Sequence, residues 1–439
     1  SNSVSVKDST VAGNVYVGYS NSGTATQNSM TISSGTLQKN AYGGYSQSGT
    51  ATANTMTLAD GGNVTGSVYG GYSPTGTASE NTVTVTGGTA DTAIGGTTDS
   101  GTATGNIVTL SGGTVSSVYG GTAAAGTASS NIVNVNDGGT ITTTVAGGAS
   151  DTGDVTGNVL NINGGTVGTT ESTDENGNLI IGGLSQSGNV TDNTINVYGG
   201  TLGSMMSLYG GLVTSTGSSG SGNTLNMYNK ANTVKNLGNF QTMNFYVPKG
   251  TTPGETMITV TGTADVSNTA IYGAVDDSTK MSKGQVINLI VDNGGITSNG
   301  TEYKMIPGKD EVTDAGFVSQ KVINKKIDAN HIVLMIPDDD VAKIEDDTKA
   351  FPENRANATG TLIGASDLAV TDGFTSAVAA YQAAWLEDHS IANKFTPYIV
   401  LGGHNLRYTT GSYVDTNGFN GELGFVKRNF HTVPRIWQR

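Results

Sequence analysis

Read from Asn2, the chain repeats one pattern: an asparagine, then apolar residues two and four places on, with serine, threonine or asparagine between them. The apolar pairs are Val4/Val6, Met30/Ile32, Met56/Leu58, Val83/Val85, Val108/Leu110, Val133/Val135, Leu160/Ile162, Ile195/Val197 and Leu225/Met227. Period-two apolarity predicts short strands that bury one face. The asparagines are Asn2, Asn28, Asn54, Asn81, Asn106, Asn131, Asn158, Asn193 and Asn223, spaced by 26, 26, 27, 25, 25, 27, 35 and 30 residues.

Two further markers fall between these strands. One is Tyr42-Gly43-Gly44-Tyr45-Ser46, repeated as Tyr69-Gly70-Gly71-Tyr72-Ser73 and shortened to Tyr119-Gly120-Gly121 and Tyr209-Gly210-Gly211. The other is a glycine pair before threonine, as in Gly87-Gly88-Thr89, Gly112-Gly113-Thr114, Gly164-Gly165-Thr166 and Gly199-Gly200-Thr201. Each repeat therefore holds several extended pieces joined by glycine turns.

A single repeat cannot bury its own face, so the repeats must stack. About 26 residues at ~3.3 Å each make one coil of a β-helix, and nine coils at ~4.8 Å make a rod of roughly 40 Å. The expected fold is all-β: a right-handed parallel β-helix with a C-terminal β cap, a linker helix and two terminal amphipathic strands. A propeller would need blades of roughly 40–50 residues. An inward asparagine at a turn satisfies backbone groups and stacks on the amide of the next coil. Asn28, Asn54, Asn81, Asn106, Asn131, Asn158, Asn193 and Asn223 are accordingly read as a structural ladder. The long interval before Asn193 marks a surface loop near Glu171-Ser172-Thr173-Asp174-Glu175-Asn176-Gly177.

The pattern changes near Asn236. Larger apolar residues arrive at Phe240, Met243, Phe245, Tyr246 and Val247, and the organisation read from the chain is a repetitive β-helix over residues 1–235 and a cap over 236–337. An acidic linker with a helix follows over 338–393, its helical composition lying at 362–386. Residues 394–439 then hold two amphipathic strands, one from Phe395 to Gly403 and one from Gly418 to Val426.

Composition narrows the functions. The 439 residues include 65 glycines and only 35% apolar side chains, which requires a thin, repetitive core. The net charge is −14, and no lysine or arginine lies between Lys39 and Lys230, so nucleic acid is not an expected partner. Cysteine is absent, which removes disulfides and thiolate metal sites.

These residues resemble the autotransporter (type V secretion) family, with a pertactin-like β-helical passenger and the start of its translocator barrel. The resemblance spans essentially the whole chain. Residues 240–291 look like the junction that helps such passengers fold, and 355–425 look like the pore helix and opening barrel strands. The matching motif is an aromatic strand, then Arg407-Tyr408, Gly411-Ser412, Asp415 and Gly418, and a second strand ending at Gly424-Phe425. The chain departs from the family in having no signal peptide and two barrel strands where about twelve are expected. Residues 429–439 do not alternate as a third strand should.

The resemblance implies a passenger at the bacterial cell surface, tethered to the outer membrane and acting as an adhesin or structural stalk. Its partner would be a host-cell, matrix or bacterial surface ligand, protein or glycan. The alternatives are the stalk of an exported enzyme with its catalytic domain upstream, and a glycan-acting β-helix. No catalytic constellation is visible: His331, His389, His404 and His431 are scattered outside the repeats, and Asp60, Glu80, Asp91, Asp99 and Asp137 stand singly. No metal or other cofactor is expected. Tyr42, Tyr45, Tyr69, Tyr72 and Tyr119 form a possible aromatic binding strip, though stacked rings shielding strand edges are the favoured reading. Thr55/Thr57 and Thr82/Thr84 begin an outward threonine array that Asn134, Asn161, Asn196 and Asn226 interrupt.

Overall fold

The alternating strands stack coil upon coil, in register, as a parallel β-solenoid of about ten turns. The structure, a computed structural model, describes all residues except 174–176, 216–219, 315–317, 345, 388–394, 410–412 and 428–439. The described chain forms two compact units, residues 1–314 with 320–341, and residues 315–319 with 342–439.

From Asn28 to Asn158 each coil carries two to four strands. The coil of Asn54 has Thr55–Leu58, Asn63–Tyr72 and Thr77–Ser79. The post-asparagine strands pair Val4 with Met30, Met30 with Met56, Met56 with Val83 and Val83 with Val108. From Met30 onward the first member of each pair is fully buried, and the second member matches it. Burying one such side chain contributes roughly 1.5–3 kcal/mol, and the stack repeats that gain in every coil. The Thr-Ala-Thr pieces form a separate narrow sheet, with Ala51, Ala78, Ala103 and Ala128 turned inward. Alanine is the small residue that lets this sheet lie close to the opposite wall.

The residue before the ladder asparagine turns the corner in the left-handed region. Gln27, Ala53, Glu80, Ser130 and Asp192 have φ between 53° and 57°, and Gly105, Gly157 and Gly222 fill the same place without a β-carbon. Such a conformation costs an L-residue roughly 1–2 kcal/mol, so glycine recurs there.

The parallel register does not stop at Asn236. Leu225 pairs with Met243, Met243 with Ile271, and Ile271 with Tyr303. Phe240 and Phe245, the largest fully buried side chains, fill this wider end. Antiparallel pairing comes only afterwards, when His331–Met335 joins Val286–Asp292 and Ile323–Lys326 joins His331–Met335. These strands cover the parallel edge, which would otherwise offer unpaired backbone groups to other chains. The loop expected near Glu171 includes residues 174–176, which lie outside the described residues.

The second unit has a helix Asp346–Asp367, a π-helical segment Leu368–Gly373 and a helix Phe374–Glu387. Its hairpin, longer than expected, pairs Phe395–Thr409 with Tyr413–Lys427. One hairpin face exposes Phe395, Ile399, Leu401, Phe419, Leu423 and Phe425. The other carries Tyr398, His404, Asn420 and Glu422 beside Gly402, Gly418 and Gly424, and the helical segments pack on it. Leu368 seats where Gly402 leaves space: a β-carbon there would stand 2.7 Å from Leu368 Cδ1. Gly411-Ser412 and residues 429–439 lie outside the described residues.

Candidate functional site

The asparagines, 25–35 residues apart in sequence, form one buried column. Asn54 donates from its backbone N–H and from Nδ2 to Asn81 Oδ1, at 3.1 and 2.9 Å. The second Nδ2 hydrogen goes to the Ala25 carbonyl at 3.0 Å. Asn81, Asn106, Asn131, Asn158 and Asn193 repeat the arrangement, each with its own alanine or valine carbonyl. From Asn54 to Asn193 each oxygen thus accepts two hydrogens and each amide nitrogen donates two, so burying these amides leaves none of their polar atoms unpaired. The column ends at Gln241, whose Oε1 accepts from the Asn223 backbone at 2.9 Å.

Two other ladders were not singled out in the sequence. On the outer face, Asn161, Asn196, Asn226 and Asn244 each donate from Nδ2 to the amide oxygen one coil earlier at 2.8 Å. The sequence signal was present, as asparagine replacing threonine at a fixed register. At a third corner, Ser46 accepts from Gly49 N–H and donates to the Gly23 carbonyl at 2.6 Å, and Ser73, Thr98, Ser150 and Ser185 do likewise. The signal for it was Ser/Thr-x-x-Gly.

The tyrosines stand on the outside of the Gly-Gly strand in two columns. Tyr16, Tyr42 and Tyr69 stack with centroids 4.7 Å apart and planes within 6°. In the second column Tyr19 and Tyr45 stack at 5.3 Å, while Tyr45 and Tyr72 meet edge to face at 5.4 Å. Rings in such a run face one another, so edges and hydroxyls meet the solvent; each pair adds about 0.5–1.5 kcal/mol beyond burial. Tyr42 is buried, and burial pushes its phenol up to about 12 against the opposing hydrogen bond with Asn40. Hydroxyls at the rim reach the next turn: Tyr45 donates to Gln47 at 2.8 Å and Tyr72 to Asp99 at 2.9 Å.

No family model, curated protein or solved structure matches this chain. The geometry alone therefore carries the functional reading.

The structure brings Tyr42, Tyr45, Tyr69 and Tyr72 into one block with Tyr16 and Tyr19. Tyr119 stands two coils further on, with Ile94 before it and Ala146 after it in its column. The second column runs Thr97, Thr122, Ala149, Leu184 beyond Tyr72. At Ala149 the face sinks into a notch of about 260 Å³ lined in part by Tyr119, Thr122, Asp151, Leu184 and Gln186.

Among the described residues no three histidine or carboxylate side chains gather to hold a metal. His331 Nδ1 lies 2.9 Å from Asp328, three residues earlier on one exposed turn. His404 Nδ1 accepts from Asn420 at 3.2 Å within the hairpin. His389 and His431 lie outside the described residues.

Proposed function

We propose that this chain is an autotransporter-type surface protein in which the solenoid is an extracellular stalk with adhesive capacity and the second unit opens a membrane barrel. The observation that carries the reading is the two-faced hairpin. A hairpin bathed in water would turn its apolar side chains inward; here Phe395, Ile399, Leu401, Phe419, Leu423 and Phe425 are exposed. The opposite face holds polar side chains, glycines and the helical segments. Apolar-out, polar-in alternation is what a barrel strand in lipid requires, because lipid bathes the outside and helix or water fills the lumen. Among the described residues no helix is long and apolar enough to cross a membrane.

The solenoid suits the other half of the reading. Its surface is paved with serine, threonine and asparagine, and it carries no lysine or arginine between Lys39 and Lys230. Among its described residues no metal-holding cluster interrupts the repeat. Such a surface is a spacer with room for contact sites and does not attract phosphates or anionic lipid.

The test is display on intact cells. An epitope tag placed after Thr170 in the full gene, expressed in a Gram-negative host, should be labelled by antibody and removed by added protease without lysis. Labelling that appears only after lysis would refute the surface reading.

A further inference from the structure

We propose that the notch beside Tyr119 is a binding subsite for one neutral pyranose ring of a glycan. This deepens the adhesive reading by naming its ligand class, but it rests on the notch alone and does not need the export route.

Tyr45 and Tyr72 occupy the same column in earlier coils. In the second tyrosine column, a phenol lies over the face and its hydroxyl reaches the turn that follows: Tyr45 to Gln47 and Tyr72 to Asp99. Three coils after Tyr72 that column position is Ala149, and the turn residues in reach are Asp151 and Gln186. These two belong to adjacent coils, with the Gln186 backbone N–H donating to the Asp151 carbonyl at 2.9 Å. Thr97 and Thr122 hold the position in between, and at Ala149 no side chain reaches these groups, which leaves a carboxylate and an amide at the rim of the space.

The remaining walls define what refills it. Tyr119 and Leu184 supply apolar surface on either side, Ala149 is the floor, and Thr122 adds a hydroxyl. A pyranose has an apolar C–H face to lie on Tyr119 and Leu184, and several hydroxyls around its edge for Asp151, Gln186 and Thr122. A phenol from a peptide would satisfy only one of those groups. The volume of about 260 Å³ lies below the range of about 300–1,000 Å³ usual for drug-sized ligands, and so fits one ring of a longer chain. The sugar must be neutral: Asp151 sits at the rim, and no lysine or arginine lies between Lys39 and Lys230 to hold a uronate or sialate.

The test uses the purified full chain and ligand-detected saturation-transfer NMR. The probes are methyl glycosides of glucose, galactose, mannose and N-acetylglucosamine, with glucuronic and sialic acid glycosides and a tyrosine-containing tripeptide as comparisons. At least one neutral glycoside should bind. Ala149→Tyr, which introduces the ring that Tyr45 and Tyr72 carry in this column, should weaken it at least tenfold while leaving the circular dichroism and melting curve of the solenoid unchanged. Gln186→Ala should weaken it several-fold without filling the notch. Binding that survives Ala149→Tyr, preference for the acidic sugars or the peptide, or no glycoside bound by the native chain would each overturn the proposal. Failure of surface display with glycoside binding intact would refute the export reading and leave this one standing.

Discussion

Asn54 lies so close over Gly44 that a β-carbon on Gly44 would stand 2.2 Å from Asn54 Nδ2. Gly71 and Asn81, Gly96 and Asn106, and Gly121 and Asn131 repeat the relationship at 2.4–2.5 Å. The second glycine of the Tyr-Gly-Gly marker and the asparagine ten residues later are therefore one steric device. The amide can enter the core corner only where the opposing strand has no side chain.

That contact predicts strong non-additivity. Gly96→Ala should cost about 1–3 kcal/mol, because the new methyl overlaps the Asn106 amide and neither can move within the packed coil. Combined with Asn106→Ala, the overlap is gone, and the double variant should be more stable than the two single losses summed. Coupling of about 0.5–3 kcal/mol is expected from a double-mutant cycle by urea denaturation. Strict additivity would mean that the two positions do not press on one another.

The inner and outer amide ladders should differ sharply in worth. Asn106→Ala strips acceptors from the backbone N–H and Nδ2 of Asn81, both buried. Each orphaned buried donor costs about 1–3 kcal/mol, so a loss of roughly 2–6 kcal/mol is expected. Asn161→Ala breaks bonds of 2.8 Å on the outer face, where water replaces them, and should cost under about 1 kcal/mol. Local hydrogen exchange around each site measures both, since a stack of coils need not unfold as one unit.

Folding should nucleate at the wide end. Phe245 and Met243 are fully buried among the largest side chains of the solenoid, beside the antiparallel strands that close it. Val83 is as buried but lies within the repeats, in register between Met56 and Val108. Conservative truncations at Met243 and Phe245 should give φ-values of about 0.5–0.8, and Val83→Ala a value below about 0.3, in stopped-flow refolding. Equal values would place the nucleus elsewhere.

Alkali should attack the tyrosine block in a defined window. Burial, the main cause, raises the Tyr42 phenol to about 12 from an ordinary value near 10. The folded chain thus favours the neutral phenol, so its contribution is complete below pH 10 and is lost as pH rises through about 12. Tyr72 is raised in the same direction, first by burial and then by its bond to Asp99. Tyr42→Phe should make stability less dependent on pH in that window, and the phenolate absorbance should show one fewer late-titrating tyrosine. A Tyr42 that titrates with the exposed phenols would contradict the packing described.

Much of this protein is legible without coordinates. A strand with one buried face advertises itself by alternation, and a stack advertises itself by repeating that alternation at a constant interval. Asn54 and Asn81, 27 residues apart, could be read as neighbours because nothing else explains a polar residue at a fixed place in every apolar repeat. The exposed apolar positions of the hairpin were legible for the same reason, as period-two patterning.

What repetition cannot reveal is where the pattern meets itself from the other side of the coil. That Gly44 is empty because Asn54 fills it, that Ser46 ties its coil to the Gly23 carbonyl, and that Ala149 opens a notch while Ala146 beside it is fully covered are decided by distances across the coil. The change of composition near Asn236 likewise suggested a new element, whereas the parallel register runs on to Met305. Residue size altered there while backbone pairing did not, because parallel pairing is set by main-chain hydrogen bonds and only the filling of the core depends on side-chain volume.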